Sequence, residues 1–342
     1  MGNGLDIAGE LSVHIDAAGG RVRAVRIRST RPDSPARVFR GRTPGEVAAL
    51  MGMLFSLCGR AQTACALSAM EQALGLSVPA PVRAAREVLR LSEMLTQTVM
   101  RLSLDWPRLL RFEPRADAAR ACLDAERAFE RALFGAVSWK TPGGQPFAPD
   151  KAAVLDVAQN IERMTRAYIL DALADDLRRA VTDAGLAGLG VSDGDIEDGA
   201  LKRNWDEPGV AAARAAHGAG LLARLESRLA DVEALTQAIA DATAHLAAVT
   251  HIDAPARDAG EGEATVETAR GPLSHFVRIA DGRIADYRIA APTDANFVPD
   301  GVVARGLAGL AVTDVEALRR AVELHVLAVD PCVGCAIDVG GL

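Results

Sequence analysis

Strict alternation of apolar and polar residues marks two hairpins in this chain. ELSVHID and RVRAVRIRS alternate around the glycines of AAGG, which predicts a hairpin over residues 10–28. SHFVRIA and RIADYRIA alternate around Asp281-Gly282, a strong two-residue turn signal, and predict a second hairpin over 273–290. Between them the apolar spacing becomes helical and predicts a helical body over 43–250. Thr43-Pro44-Gly45-Glu46 opens it, with Thr as N-cap, Pro at the first helical position and Glu three residues after the cap. That first helix is expected to run to about Leu76 with a break at Gly59. Two helices are expected over 80–135, divided at Trp106-Pro107 because proline disfavours helix at the residue before it. Residues 29–42 and 138–150 read as loops, 186–208 as an exposed connection, and 253–264 as a mobile loop. A helix is expected over about 209–248, broken at Gly218–Gly220. Thr313-Asp314-Val315-Glu316 forms another capping box, and its helix ends at Asp330-Pro331. The expected fold is α+β and mainly α: one domain over 1–342, with small hairpins near both termini and a C-terminal helix and C-x-x-C at 313–338. The two hairpins can pair into one small sheet, a point the pattern leaves open. No βαβ alternation supports a dinucleotide-binding fold.

Composition narrows the function classes. The 342 residues are 49% hydrophobic and 24% charged, which excludes disorder as the main state. The net charge of −7 argues against a nucleic-acid binder held by phosphate contacts. Aromatic residues make up only 4%, so the interior is expected to pack small side chains. The longest uncharged apolar run, Val47 to Gly59, is too short to span a bilayer and reads as a buried helix. The start of the chain lacks a signal-peptide pattern. Five cysteines, an odd number, point to the reducing cytoplasm.

The cysteines also carry the candidate chemistry. Asp330-Pro331-Cys332-Val333-Gly334-Cys335 sets two thiols three residues apart just past a helix end, a spacing that lets both sulfurs point at one metal or at each other. As a zinc site it is half complete. Cys58 and Cys65 are seven apart and share a face of a continuous helix, where buried cysteine commonly packs as a small hydrophobe.

DPCxxC after such a helix resembles the end of the nickel–iron hydrogenase large subunit. Glu267-Thr268-Ala269-Arg270-Gly271 with His275, a hairpin, then Ala291-Pro292-Thr293 and Asn296-Phe297, is similar to that family's EAPRGxxxH…PT..NF. GELSVHIDAAGGRVRAVRI resembles its opening hairpin, and Cys58-Gly59 sits where the family begins RICGxC. Several ligand positions differ. Ala61 stands for the second thiol of the first pair, Cys65 for a histidine, Ala8 for the proton-relay carboxylate and Asp338 for the terminal histidine. Three thiolates do not reproduce a four-sulfur cage. A frame kept without its full ligand set resembles the non-catalytic assembly relatives, the hydrogenase expression/formation proteins of the HupK/HoxV type.

The resemblance implies a hydrogenase-large-subunit-like body and a cytoplasmic, non-catalytic maturation protein, a scaffold or chaperone that transiently holds iron or the Fe(CN)2(CO) fragment rather than nickel. It places metal ligation at Cys332, Cys335, Cys58 and Cys65 and cargo contacts at Arg270 and His275. Its partners would be hydrogenase maturation factors or the immature large subunit, with no nucleic acid and no membrane. Two alternatives stay open: a divergent catalytic large subunit, and a zinc or thiol-redox protein using the C-terminal pair.

Overall fold

A computed structural model describes residues 9–30, 35–252, 260–312 and 314–340. Strands β1 (Leu11–Ala18) and β2 (Arg21–Ser29) form the first hairpin, turning through Gly19 and Gly20 at positive φ. The helical body follows as α1 (Pro44–Leu54), α2 (Gly59–Ala73), α3 (Ala80–Met100), α4 (Trp106–Leu110), α5 (Ala116–Phe134), α6 (Lys151–Thr165), α7 (Ala174–Asp183), α8 (Ala200–Arg203), α9 (Pro208–His217) and α10 (Leu221–Ala244). Strands β3 (Glu261–Thr268), β4 (Gly271–Ala280) and β5 (Arg283–Ala290) come next, then α11 (Pro292–Asn296), α12 (Val302–Leu307), α13 (Val315–Val329) and β6 (Cys335–Gly340). The class is α+β and mainly α, as the periodicity predicts. Among the described residues, no helix is long and apolar enough to cross a membrane.

The hairpins do not share a sheet. One sheet has the order β2-β1-β6, with β6 parallel to β1; the other is β3-β4-β5. Two strands thus lie beyond the predicted pairs, and Glu261–Ala264, expected in a loop, belongs to β3. Residues 253–259 of that expected loop, and Thr313 of the second capping box, lie outside the described residues. Asp314 is the N-cap of α13, accepting the N–H groups of Glu316 and Ala317 at 2.9 and 3.1 Å.

The Thr43 box forms as read, with the Thr43 N–H donating to Glu46 at 2.7 Å. The helix breaks earlier than Gly59, at Phe55–Cys58, because α1 folds back on α2. A Cβ on Gly59 would lie 3.0 Å from the Gly52 Cα, so the two helices approach backbone to backbone. The 47–59 run is only partly buried, since Met53 is 71% exposed.

Pro107 does not divide the 80–135 helices. A π turn at Arg101–Asp105 precedes it and carries α3 into α4. The wider turn eases the clash of the proline ring with the preceding turn, and the Ser103 carbonyl left without a Pro107 N–H accepts from the Arg115 N–H at 2.7 Å. The break comes at Arg111, which adopts φ 66°.

The connection 186–208 is not simply exposed. Leu189, Glu197 and Asn204 are buried against a polar stripe on α10. Arg224 donates twice to Glu197, at 2.7 and 2.8 Å, and Asp231 accepts from Arg203 and Asn204. The largest apolar core fills the helical body and one face of β3-β4-β5. A second packs β1, β2 and β6 against α12 and α13.

Candidate functional site

The helix break places Cys58 at the N-cap of α2, so it does not share a continuous helix with Cys65. Asp330 ends α13 in the left-handed region at φ 65°, and the chain reverses through Pro331 to bring Cys332 opposite Cys58. The two cysteines line one cavity of about 230 Å³ together with Glu10, Leu57, Gln62 and Gly334. The Cys332 N–H donates to Thr293 Oγ1 at 3.0 Å, which anchors the loop to the first turn of α11.

Cys335 opens β6 and lines a different groove, with Arg101, Arg319 and Glu323. The C-x-x-C loop is therefore shared between two spaces, with Cys332 lining one and Cys335 the other. Cys65 is elsewhere again: its thiol donates to the carbonyls of Ala264 and Leu273 at 3.2 and 3.3 Å, pinning α2 to the β3–β4 pair. Among the described residues, no group of three or more His, Cys, Asp or Glu side chains is arranged to hold a metal.

Burial pushes the Cys58 thiol up to about 12, reinforced by Cys332 and Glu93 and opposed by Arg270 and Gln62. Burial likewise pushes Cys65 to about 12 and, with Glu10 nearby, Cys335 to about 11. All three are thiols at neutral pH until a cation draws off the proton.

His275 reaches the cavity through Gln62. Burial lowers its pKa to about 3, so the ring is neutral. Nε2 lies 2.9 Å from Gln62 Oε1, which only accepts, so Nε2 carries the proton and Nδ1 accepts from the Tyr287 hydroxyl at 2.7 Å. That polarity turns the Gln62 amide nitrogen toward Cys58 Sγ, 3.8 Å away. His275 is thus a positioning residue behind the cavity.

Arg270 occupies the tight turn between β3 and β4, which Thr268 fixes by donating to the Gly271 carbonyl at 2.8 Å and accepting from the Arg270 N–H. The turn projects the guanidinium inward to Gln97 and to Asp330, 3.5 Å from Oδ1. Arg101 Nε reaches the same oxygen at 2.9 Å, and Arg228 reaches Oδ2 at 3.5 Å. Burial alone would raise the Asp330 pKa, but Arg270, Arg101 and Arg228 together hold it below the usual carboxylate range. Three guanidinium groups surround this one carboxylate; among the described residues Asp105 also pairs Arg101, at 2.7 Å, and Asp231 acts on Arg228. The Nε atoms of Arg228 and Arg270 find no hydrogen-bond acceptor. Of this cluster, Arg270 is the cation that acts on Cys58, against Glu93.

Sequence reading missed Glu10, Gln62, Arg101, Arg228 and Glu93. Glu93 accepts the Arg60 and Ala61 N–H groups at 2.8 and 3.0 Å, capping α2 from α3, and burial raises its pKa to about 7. Asp330 was legible in the DPCxxC motif, but only as a helix end.

These buried groups set an acid limb. His275 and His325 both have folded values near 3, lowered by burial, with Arg224 adding to the effect at His325. The unfolded chain therefore binds protons first, and stability is lost as pH falls below about 6.5 toward 3. Glu93 has the opposite sign, and its penalty is relieved as pH falls through 7. Between pH 7 and 5 the two histidines withdraw about 4 kcal/mol and Glu93 restores about 2. A net loss of about 2 kcal/mol is expected in urea titrations, growing toward 4 in Glu93→Gln. A flat profile in both proteins contradicts these assignments.

The family model for nickel-dependent hydrogenase matches residues 201–338, which include Arg270, Asp330 and Cys332. The hydrogenase expression/formation protein HupK of Rhizobium leguminosarum bv. viciae is 30% identical, the match covering 97% of each chain. HoxV of Cupriavidus necator, also named a hydrogenase expression/formation protein, is 31% identical over 91% of this chain and 92% of its own. The Ni-Fe-Se hydrogenase of D. vulgaris Hildenborough superposes with a TM-score of 0.78 at 17% identity, covering 94% and 95%, a likeness of fold. On these matches the chain belongs to the family of hydrogenase expression/formation proteins of the HupK/HoxV type, on the fold of the hydrogenase large subunit.

Proposed function

We propose that this chain acts in hydrogenase maturation as a cytoplasmic carrier for an iron fragment with cyanide and carbonyl ligands, Fe(CN)2(CO), destined for an immature large subunit, and that it does not itself turn over hydrogen. The observation that carries the reading is the pair of thiols, Cys58 and Cys332, facing one small cavity backed by buried guanidinium groups. A fragment that arrives with three diatomic ligands of its own needs few from the protein, and soft thiolates suit low-valent iron. Two thiolates and two cyanides on a ferrous ion leave a net negative charge. Arg270, with Arg228 also buried at Asp330, supplies a compensating field in a region shielded from water.

The same cavity is unsuited to a nickel–iron pair. Ala61 stands in the sequence where the resemblance expects a thiol, and its N–H is held by Glu93. With Cys335 lining the adjoining groove, this reading pairs Cys332 with Cys58, which lines the same cavity.

The test is infrared spectroscopy with metal analysis on protein purified anaerobically from cells expressing the maturation genes. Bands in the cyanide and carbonyl region, with bound iron, are expected in the parent protein and absent in Cys332→Ser and Cys58→Ser. Cys335→Ser should retain most of the iron, and Cys65→Ser should act only through stability. Nickel-linked hydrogen uptake would support a divergent catalytic subunit instead. Zinc without the bands would support a zinc or thiol protein.

A further inference from the structure

The charge of this chain is unevenly spread. It carries a net charge of −7, yet residues 21–42 hold eight arginines against one aspartate. Four of the eight, Arg21, Arg23, Arg26 and Arg28, lie exposed along β2. β2 is an edge of its sheet. Residues 309–312 cover only its start, through the bonds of Leu310 and Gly309 with Val22 and of Val312 with Gly20. From Arg23 to Arg28, no strand among the described residues pairs with the side away from β1. On the outer face Arg26 stands opposite His14 and Arg28 opposite Ser12. Among the described residues Arg26 pairs with Asp16 at 2.5 Å, which leaves the row in excess.

We infer that the open edge of β2 docks an extended, acidic segment of a partner protein, added to the sheet as a further strand. Main-chain bonds along the edge would supply affinity, and alternate carboxylates would fall beside the arginine row, where opposite charges across strands stabilise and like charges do not. Edge protection alone needs only a charge or two, so the length of the row exceeds that role. A second copy of this chain is disfavoured, since joining two β2 edges sets arginine against arginine. A nucleic acid would use the charge but leave the main-chain edge unpaired.

The probe is a blocked, fluorescein-labelled ten-residue peptide of alternating Glu and Thr, mixed with the full chain. Fluorescence anisotropy should show binding in 50 mM salt that weakens at least tenfold by 300 mM, with the Lys/Thr peptide silent. Hydrogen exchange at the amides of residues 23–28 should slow on binding. Arg26→Gln/Arg28→Glu should weaken binding at least tenfold with a thermal midpoint little changed, since both side chains are exposed. If that protein folds poorly, Arg28→Glu alone should weaken it several-fold. The inference is overturned by no binding at low salt, or by binding indifferent to these changes. It is equally overturned by a ten-nucleotide single-stranded RNA that displaces the peptide, or by self-association that protects the same amides without it.

Discussion

Asp330→Asn is expected to lower the unfolding free energy by about 3–5 kcal/mol, the range for removing one partner of a buried ion cluster. The change is nearly isosteric, and asparagine tolerates the left-handed backbone at this position, where φ is 65°. The loss is therefore electrostatic. Arg101, Arg228 and Arg270 would face one another with no carboxylate between them, two of the three almost fully buried. A second change separates this account from general damage: Arg228→Met in the Asp330→Asn background removes one uncompensated charge from the core, so the double variant should recover part of the lost stability. Urea denaturation of the four proteins of this cycle decides it. Additive losses would show that Arg228 and Asp330 are not coupled.

Gly190→Ala is expected to destabilise by about 3–4 kcal/mol, combining left-handed strain with overpacking. Gly190 has φ 81°, and a Cβ there would lie 2.2 Å from Nδ1 of His325. On the other side of the ring, a Cβ on Gly306 would lie 2.7 Å from Nε2. The imidazole is thus clasped between two glycine backbones, with Arg224 alongside. Gly190→Ala/His325→Ala should restore part of the loss by opening space while keeping the backbone strain, and the thermal midpoints of the three variants measure the balance. A full-sized loss in the double variant would assign the whole effect to strain.

What the sequence disclosed followed from how local each feature is. The hairpin at Asp281-Gly282 was legible because both residues take positive φ, 51° and 70°, in the turn that their types favour. The Thr43 box was legible because its side-chain and backbone bonds lie within three residues, and the end of α13 because Asp330 precedes a proline. β3 and β6 were not. β6 has its partner in β1, and β3 follows directly on a stretch whose Gly and Glu content reads as loop. Pro107 misled because its lost hydrogen bond is made good by Arg115, a partner beyond the reach of helical periodicity. At the site, the family pattern pointed to Cys332, Cys335, Cys58, Cys65, Arg270 and His275. It could not show that Cys332 and Cys335 line different spaces, since that depends on the path of one loop between Leu57 and Glu10. The arginines around Asp330 escaped notice because a polar residue in a helical pattern reads as surface, and Arg228 on α10 is instead buried.

The parallel pairing of β1 with β6 has a kinetic meaning. His14 and Asp338, in contact at 2.8 Å, are 324 positions apart in the chain. Closing a loop of that length carries an entropic penalty of roughly 5 kcal/mol, met only when the intervening helices are already compact. The thiol cavity takes its walls from both sides of this junction, Glu10 just before β1 and Cys332 to Gly334 just before β6. It is therefore among the last features to form on the folding path. A molecule halted with β6 detached would present Cys58 and Cys332 singly, so competence to hold cargo would itself report that the polypeptide had finished folding.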